Sequence, residues 1–325
     1  MTAKPSKIAI LTSGGDAPGM NAAIRAVVRA ALSNDIEAVG VINGFEGLIN
    51  GEFRSLGARD VGGILQRGGT ILLTSRSKRF MEPGGQREAV RKMNEAGVDA
   101  LVTIGGEGTL KGAQALSKQG VKVIGIPGSI DNDIWGTNIS IGTDTAMNTI
   151  MEAVDKLRDT ASSHQRAFLI ETMGRNSGYL AVMAGIVCGA EMTLVPEVPV
   201  QVEEVATAVE DAYRRGKTHA IIINAEGSNI DTAELARSID HRDLGFKTRM
   251  TILGHIQRGG SPTAYDRLLA SRMGVKAVEA LVEGTHGLMT GLKGHGIEFI
   301  PLEDVITNKR HVNMEYYNMA KILAR

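Results

Sequence analysis

Two carboxylates flank one amide in the segment Asp131-Asn132-Asp133, and these side chains could perform acid–base chemistry. They follow the apolar run 121–126, which has glycines at its ends. This run predicts a buried strand of a parallel sheet. Ligands of open α/β sheets bind just beyond the carboxyl ends of the strands. A carboxylate placed there can take a proton from a substrate hydroxyl, and a second can orient a metal ion or a water molecule. The alternative is an Asx-rich turn that only ends the strand.

Two glycine-rich segments also follow predicted strands. Residues 13–21 follow a strand predicted at 7–12 and precede a helix predicted from about Asn21 to Leu32. Residues 105–110 follow a strand predicted at 99–104, precede a helix predicted from about Thr109, and include Glu107, which could bind a metal ion. A strand, glycine loop and helix in succession present backbone N–H groups to phosphate. The first loop is not a Walker loop, because no Gly-Lys-Ser/Thr follows, and a plain turn is the alternative.

Cations beside predicted strand ends would suit an anionic ligand. Arg76, Lys78 and Arg79 lie beyond a short strand predicted in the stretch that begins at Arg67, and Arg175 follows a strand predicted at 167–171. Arginine offers a bidentate fork to phosphate. For residues 76–79 a solvated basic loop remains the alternative. His255, which lies between Arg249 and Arg258, is by itself more often a structural histidine than a catalyst.

The remaining pattern alternates strands with helices, which predicts an α/β protein with stacked parallel sheets. Further strands are predicted at 39–42, 192–197 and 219–227; helices are predicted at 87–96, from after 148 to about 160, and after Pro301; residues 44–48 are predicted to be a loop. The 325 residues suffice for two lobes or one large domain. No repeat or low-complexity linker marks a boundary.

Composition excludes several classes of function. Lys plus Arg (36) balance Asp plus Glu (36), so bulk charge does not favour nucleic acid or an anionic membrane. The single cysteine, Cys188, excludes an intramolecular disulfide and fits a reducing cytoplasm. The sequence shows neither a targeting segment nor a long apolar run, so neither secretion nor membrane spanning is expected. The 40 glycines, about 12% against a usual ~7%, indicate loops where the backbone approaches a ligand.

Five separated motifs resemble those of bacterial ATP-dependent 6-phosphofructokinases. They occupy residues 11–21 (LTSGGDAPGMN), 127–133 (PGSIDND), 163–166 (SHQR), 173–175 (MGR) and 254–262 (GHIQRGGSP), within a match from about Lys7 to beyond Gly274. The resemblance implies an α/β fold with two Rossmann-like three-layer lobes, mainly parallel sheets and an active site in the cleft between the lobes. It implies a nucleotide-binding lobe at 1–142 and 256–305, and a sugar-phosphate-binding lobe at 143–255 and 306–325.

The family moves the γ-phosphoryl group of MgATP to the 1-hydroxyl of fructose 6-phosphate. By this resemblance Asp131 would take the hydroxyl proton, Asp133 would support the metal and the geometry, and Ser129, where relatives usually carry threonine, would donate to the phosphoryl group. Arg76 and Arg175 would neutralise its charge. Glu107 would bind Mg²⁺, although relatives most often carry aspartate there. The implied ATP-binding residues are Gly15, Arg76, Ser77, Gly106, Glu107, Gly108 and Thr109; the implied substrate-binding residues are Arg166, Met173, Gly174, Arg175, Glu226, Arg249, His255 and Arg258.

The resemblance also implies partners and regulation. Two of the sugar-phosphate arginines reach in from a neighbouring subunit in the family, which implies a cytoplasmic, glycolytic homotetramer with shared active sites. An effector site for ADP or phosphoenolpyruvate would use Arg25, Arg29, Arg158, Glu191, Arg215 and Lys217. Pyrophosphate-using relatives carry aspartate at the position of Gly108 and lysine at that of Gly128, so the two glycines favour ATP. A pyrophosphate-dependent enzyme and a catalytically silent sensor of nucleotide or sugar phosphate remain the alternatives.

Overall fold

The computed structural model describes residues 4–324, which form two compact units. Unit 1 contains the chain up to Ser129, then Ile134–Thr145 and Arg258–Arg310. Unit 2 contains Ile130–Asp133, Ala146–Gln257 and the chain from His311 onward. The division predicted from the resemblance put residues 130–133 and 256–257 with the nucleotide-binding lobe, and residues 143–145 and 306–310 with the sugar-phosphate-binding lobe.

Eleven strands and twelve α-helices are present in the described part of the chain. The strands are β1 Lys7–Ser13, β2 Glu37–Val41, β3 Phe53–Ser55, β4 Ala100–Gly105, β5 Lys122–Pro127, β6 Arg166–Thr172, β7 Met192–Leu194, β8 Ala220–Ala225, β9 Lys247–Ile252, β10 Leu288–Lys293 and β11 Gly296–Pro301. The helices are α1 Met20–Ser33, α2 Gly44–Asn50, α3 Lys78–Met81, α4 Pro83–Glu95, α5 Glu107–Ser117, α6 Thr143–His164, α7 Tyr179–Val187, α8 Val202–Arg214, α9 Thr232–His241, α10 Ala264–Val282, α11 Leu302–Thr307 and α12 Met314–Leu323. A 3₁₀ helix spans Gly254–Arg258.

Unit 1 is built on a seven-stranded sheet in the order β11-β10-β5-β4-β1-β2-β3. The pairs β10–β11 and β2–β3 are antiparallel, and the other pairs are parallel. Ile8, Ile10 and Leu11 of β1 have no exposed surface, as expected of a strand covered on both faces. The chain leaves β1 for β2 on one side and later adds β4 on the other. The strand order therefore reverses between β1 and β4, which is where ligands bind in such sheets.

Unit 2 is built on a four-stranded parallel sheet in the order β7-β8-β6-β9. Its apolar core includes Leu169 of β6, Ile222 of β8, Val205 of α8 and Ile239 of α9, all essentially without exposed surface. Strand β6 lies between β8 and β9, so the segments that follow these three strands meet at one edge of the sheet. This arrangement and that of unit 1 confirm the predicted α/β class with mainly parallel sheets.

Several local predictions were wrong. Residues 44–48 form helix α2 rather than a loop, because Phe45, Leu48 and Ile49 lie on one helical face and are buried. No strand forms between residues 67 and 77; instead the Ile71 N–H donates to Asn21 Oδ1 at 2.8 Å. Helix α5 begins at Glu107, two residues before the predicted start, and the segment after Pro301 contains two helices rather than one. No helix within residues 4–324 combines the length and apolar character needed to cross a bilayer.

Candidate active site

Three loops of unit 1 lie together at the carboxyl ends of β1, β4 and β5. Thr109 Oγ1 donates to the Ser13 carbonyl at 2.9 Å, which joins the loops after β1 and β4. The Gly128 N–H donates to the Gly105 carbonyl at 3.0 Å, which joins the ends of β4 and β5. A Cβ placed on Gly106 would lie 3.9 Å from Ser129 Cβ. Gly15, Gly106, Thr109 and Ser129 are therefore brought into one region of this sheet edge.

The segment containing Arg76 and Ser77 borders the first glycine loop. Thr74 Oγ1 donates to the Gly14 carbonyl at 2.7 Å. Ser77 Oγ donates to Glu46 Oε2 at 2.5 Å and accepts from the Phe80 N–H at 3.1 Å, so this hydroxyl caps α3. The Ser77 bond, ahead of the neighbouring Arg79, lowers the pKa of Glu46. The Ser77 side chain is thus engaged by the protein, which leaves Arg76 as the segment's candidate for a direct phosphate contact.

Glu107 is the candidate metal ligand of unit 1. It lies in the first turn of α5, its side chain is about half exposed, and its Oε1 is 2.5 Å from Lys111 Nζ. Among residues 4–324, no group of three or more His, Cys, Asp or Glu side chains could by itself hold a metal ion. One exposed carboxylate nevertheless fits Mg²⁺, which proteins bind through one or two carboxylates together with waters and substrate phosphates.

The side chain of Asp131 lies in unit 2 beside a cation. Asp131 is 5% exposed, and its Oδ2 is 3.7 Å from Arg175 Nε. Arg175 is about half exposed, so its guanidinium reaches solvent while it faces a buried carboxylate. Asn132 takes a left-handed backbone conformation with φ of 50°, and Asp133 is partly buried. The pair Asp131–Arg175 provides a proton acceptor next to a positive charge.

Glu226 and Gly227 hold the backbone of Arg175 in place. Glu226 Oε1 accepts from the Arg175 N–H at 2.9 Å and from the Gly174 N–H at 3.3 Å. Arg175 has a φ of 50°, which is uncommon for a residue with a side chain and is stabilised by these bonds. A Cβ on Gly227 would lie 1.8 Å from the Arg175 carbonyl oxygen, so only glycine fits there. The segments after β6 and β8 therefore fix where the Arg175 side chain starts.

The segment after β9 completes this edge of unit 2. Gln257 is buried and accepts from the Met173 N–H at 3.2 Å, while its own amide donates to the Gly254 carbonyl at 3.0 Å. His255 is exposed on the same short helix. Met173, Gly174, Arg175, Glu226 and His255 thus all follow the carboxyl ends of β6, β8 and β9.

Arg258 occupies a different place from the other residues predicted to bind the sugar phosphate. It belongs to unit 1, and a Cβ on Gly15 would lie 2.7 Å from Arg258 Nη1. Its guanidinium therefore covers the first glycine loop, which the resemblance assigns to ATP. The Nε of Arg258 is buried and has no hydrogen-bond partner among the described residues.

Arg166 and Arg249 lie away from the carboxyl edge of the unit 2 sheet. Arg166 is the first residue of β6 and pairs with Lys247, and Arg249 pairs with Phe168. Strand β6 is seven residues long, so at ~3.3 Å per residue roughly 20 Å separate Arg166 from Thr172. Within one chain, Arg166 does not join the group formed by Met173, Arg175 and Glu226.

Four of the predicted effector residues lie in unit 2. The buried Glu191 accepts from Lys217 Nζ at 3.0 Å and from the Ile221 N–H. The Arg158 guanidinium contacts the His219 ring and donates to the Cys188 carbonyl. Burial is the main cause of the lowered pKa of His219 and of the raised pKa of Cys188, about 11, which keeps the thiol protonated. A pocket of about 420 Å³ is lined by Glu191, Ala208, Asp211, Arg214, Arg215, Lys321 and Ala324. Arg25 and Arg29 lie on α1 in unit 1.

Sequence reasoning missed several residues that hold the site. Asn21 Nδ2 donates to the carbonyls of Arg67 and Gly68, which ties the segment before Arg76 to α1. Asp266, in the first turn of α10, is fully buried and accepts three hydrogen bonds from the start of α6 and the residue before it. The available signal was an Asn or Asp among apolar residues at the start of a helix. The partners, however, lie about 50 residues away in sequence for Asn21 and about 120 residues away for Asp266.

Comparison with known proteins decides the family. The family model described as phosphofructokinase matches residues 7–281. This chain belongs to the phosphofructokinase family. The ATP-dependent 6-phosphofructokinase of Thermotoga neapolitana is 49% identical over 98% of this chain and 99% of that protein. The ATP-dependent 6-phosphofructokinase 1 of Thermus thermophilus is 48% identical over the same shares.

Solved structures give the same family. Phosphofructokinase from Saccharomyces cerevisiae superposes with a TM-score of 0.87 at 37% identity; the alignment covers 93% of this chain but 45% of the yeast chain. A pyrophosphate-dependent phosphofructokinase from Marinobacter aquaeolei also gives a TM-score of 0.87, over 96% of this chain and 86% of that one. At 20% identity this second likeness shows the shared phosphofructokinase fold alone.

Proposed function

We propose that this chain transfers the γ-phosphoryl group of ATP to the 1-hydroxyl of fructose 6-phosphate, producing fructose 1,6-bisphosphate and ADP. The observation that carries the proposal is the buried Asp131 carboxylate, which stands beside Arg175 and follows Ser129 by two residues. The names of the relatives that match over nearly the full length of the chain support the same reaction.

Asp131 is the proton acceptor of the proposed reaction. As the 1-hydroxyl oxygen bonds to the γ-phosphorus, its proton passes to the Asp131 carboxylate, and the bond from phosphorus to the β–γ bridging oxygen breaks. Arg175 and Arg76 balance the charge that spreads over the phosphoryl oxygens, and the Ser129 hydroxyl donates to one of them. Placement and charge stabilisation supply most of the rate gain in such transfers.

The space around two glycines supports ATP rather than pyrophosphate as donor. A Cβ on Gly108 would meet nothing within 4 Å, so the first turn of α5 leaves room that an aspartate would fill. A Cβ on Gly128 would lie 3.3 Å from Met20 Cε, so a lysine there would start against the end of the Met20 side chain. Glycine loops let backbone N–H groups approach the phosphates of a nucleotide closely.

Glu107 would hold Mg²⁺ in the proposed enzyme, with Asp133 supporting the metal and the geometry around it. The ion would neutralise charge on the donor phosphates when bound. Because Glu107 Oε1 is 2.5 Å from Lys111 Nζ, Mg²⁺ would compete with this ion pair for the carboxylate. An exposed i,i+4 ion pair contributes less than about 1 kcal/mol to stability, so breaking it costs little.

The sugar phosphate would be held by Met173, Gly174, Glu226 and His255, with Arg166 and Arg249 on its 6-phosphate. The position of Arg166 at the far end of β6 supports a homotetramer in which a neighbouring subunit contributes Arg166 and Arg249. The family resemblance further supports a cytoplasmic, glycolytic enzyme with ADP or phosphoenolpyruvate bound near Glu191, Arg215 and Lys217. Three cations, Arg214, Arg215 and Lys321, line the unit 2 pocket together with Glu191 and Asp211, and these cations could bind such an anion.

A coupled assay with fructose 6-phosphate, Mg²⁺ and either ATP or pyrophosphate tests the proposal. We expect turnover with ATP and none above background with pyrophosphate. Turnover with pyrophosphate alone would show that the donor is wrong. No turnover with either donor, from protein that still binds ATP, would favour a silent sensor.

A further inference from the structure

The amino ends of α6 and α10 are joined by side chains in unit 1. Asp266 of α10 has no exposed surface. Its Oδ1 accepts from the Gly142 N–H at 2.9 Å, and its Oδ2 accepts from the Thr145 N–H at 2.8 Å and from Thr145 Oγ1 at 2.6 Å. These N–H groups have no acceptor within α6, so Asp266 caps that helix from a distant point of the chain.

The start of α10 is fixed by α6 in return. Thr263 Oγ1 accepts from the Asp266 N–H at 3.2 Å, as expected of a residue that caps α10. The same hydroxyl donates to Asp144 Oδ2 at 2.6 Å, and the Thr263 N–H donates to Thr145 Oγ1 at 3.0 Å. Asp266 therefore caps α6, while Asp144 and Thr145 of α6 hold Thr263, the residue that caps α10. Neither amino end can shift without breaking bonds on both.

This double cap holds the segment 141–143, which in turn holds Ser129. The Ser129 N–H donates to the Ile141 carbonyl at 3.1 Å, and Thr143 Oγ1 donates to the Ser129 carbonyl at 3.0 Å. The Ile141 N–H donates to the Pro127 carbonyl at 3.1 Å. The N–H and the carbonyl of Ser129 are thus bound to Ile141 and Thr143, the two residues that flank Gly142. The N–H of Gly142 in turn donates to Asp266.

Gly142 is also closely packed against the first glycine loop. A Cβ at this position would lie 2.7 Å from Ala17 Cβ and 3.2 Å from Pro18 Cδ, in the first glycine loop. Gly142 itself has a φ of 101°, which side-chain-bearing residues rarely adopt. Segment 141–143 is therefore packed between the first glycine loop and the residues that precede Asp131, with Asp266 bound to its backbone.

We infer that Asp266 is a positioning residue for the phosphoryl-transfer site: through Gly142, Thr145 and segment 141–143 it fixes the backbone of Ser129. This inference rests on the proposed function. Asp131 follows Ser129 by two residues, so a shift at Ser129 is carried along the covalent chain to the proposed proton acceptor. Misplacement of a reacting group by about 1 Å can lower a rate by roughly 10²-fold. The hydrogen bonds of the Asp266 side chain and N–H join it to Gly142, Thr145 and Thr263, none of which is assigned to ATP or sugar.

Steady-state kinetics of Asp266→Asn test the inference. The amide keeps the shape of the carboxylate but turns one acceptor oxygen into a donor, which then faces N–H groups. We expect kcat to fall by about 10- to 100-fold, while KM for ATP and for fructose 6-phosphate changes by less than about threefold. Backbone amide hydrogen exchange should become faster at Ser129 and Ile141.

Asp231→Asn is the matched control. Asp231 caps α9 in unit 2 by accepting from the Ala233 and Glu234 N–H groups at 2.9 Å, without any bond to segment 141–143. We expect its kcat to stay within about twofold of wild type, because only a helix cap is weakened. A loss of kcat in this control equal to that of Asp266→Asn would show a general stability effect and would overturn the inference.

Thr143→Val decides the question if Asp266→Asn does not fold. It removes the bond to the Ser129 carbonyl and keeps the side-chain shape, so kcat should fall several-fold, and Thr143→Ser should restore it. If Asp131→Asn abolishes turnover but Asp266→Asn or Thr143→Val, whichever folds, keeps wild-type kcat, the inference fails and the proposed function stands. If wild type itself does not turn over ATP, the proposed function fails.

Discussion

At the scale of single residues, two buried carboxylates of this chain have opposite surroundings. Asp131 faces the half-exposed Arg175, whose positive charge can balance it in the ionised state. Asp266 accepts from two backbone N–H groups and a hydroxyl and has no exposed surface. Burial, which outweighs these bonds, raises the pKa of Asp266 to about 6 from an ordinary value of 3.8.

The raised pKa of Asp266 predicts a pH dependence of stability. Between pH 3.8 and about 6 the folded protein holds a proton on Asp266 that the unfolded chain has released. The free energy of unfolding therefore falls as pH rises through this window, by an amount on the order of 3 kcal/mol. We expect Asp266→Asn to remove this part of the slope, measured by denaturant unfolding at several pH values. An unchanged slope in the variant would contradict the assignment of the titration to Asp266.

The sequence predicts Asp131 but not Asp266, and the reason is distance along the chain. Asp131 follows a continuous apolar strand, so its position at a sheet edge can be inferred locally. The partners of Asp266 are Gly142 and Thr145, more than 120 residues earlier. Single-sequence patterns carry no information about such pairs. The same limit applies to Arg258, whose contact with Gly15 joins the first and the last segment of unit 1.

At the scale of elements, the strands and their glycine loops could be predicted because apolar runs end abruptly at glycine. The helices and loops around them were less predictable. Helix α2 was missed although Phe45, Leu48 and Ile49 have helical spacing, because the flanking glycines suggested a loop. The segment before Arg76 contains an apolar run but no strand, since the Ile71 N–H donates to the Asn21 side chain and the Leu72 N–H to the Thr70 hydroxyl.

Gly227→Ala tests how the element ends position Arg175. The new Cβ would collide with the Arg175 carbonyl at 1.8 Å, so the backbone that Glu226 holds has to move. We expect kcat to fall about tenfold or more, because the guanidinium is displaced from Asp131. The measurement is kcat at saturating substrates, with the midpoint of thermal unfolding as a check of folding.

Gly84→Ala is the control for that substitution. A Cβ on Gly84 meets nothing within 4 Å, and the residue lies in the first turn of α4. The added methyl group should leave kcat unchanged and raise the free energy of unfolding by up to about 1 kcal/mol. Wild-type kcat in Gly227→Ala would show that the position of Arg175 does not limit the reaction.

At the scale of the whole molecule, the sequence indicated two lobes but did not locate their boundary from composition or linkers. The bounds implied by the resemblance differ from those of the two units at residues 130–133, which belong to unit 2, and at residues 306–310, which belong to unit 1. The composition of such a short segment does not show that it belongs to a different unit from its neighbours in sequence. Arg166 and Arg249 both lie away from the carboxyl edge that carries Arg175, so a neighbouring subunit would have to bring them to the site.

Subunit mixing tests whether a neighbour supplies these arginines. We expect Asp131→Asn and the double variant Arg166→Ala/Arg249→Ala each to be inactive as homotetramers. Hybrids refolded from an equal mixture should recover up to about a quarter of wild-type activity, because some sites then combine an intact Asp131 with intact arginines from the neighbour.

The control mixture combines Asp131→Asn with Gly227→Ala, whose defects fall in the same part of one chain. This mixture should recover no more activity than its two components contribute separately. If the arginine mixture behaves in the same way, the shared active site is wrong, and Arg166 and Arg249 act within their own subunit or not at all.

The most direct test of the proposed chemistry is kcat of Asp131→Asn with ATP and fructose 6-phosphate at saturation. Loss of a general base should lower kcat by about 10²- to 10⁴-fold while KM for fructose 6-phosphate stays within about threefold of wild type. A variant that keeps kcat within about twofold of wild type would show that Asp131 does not accept the proton.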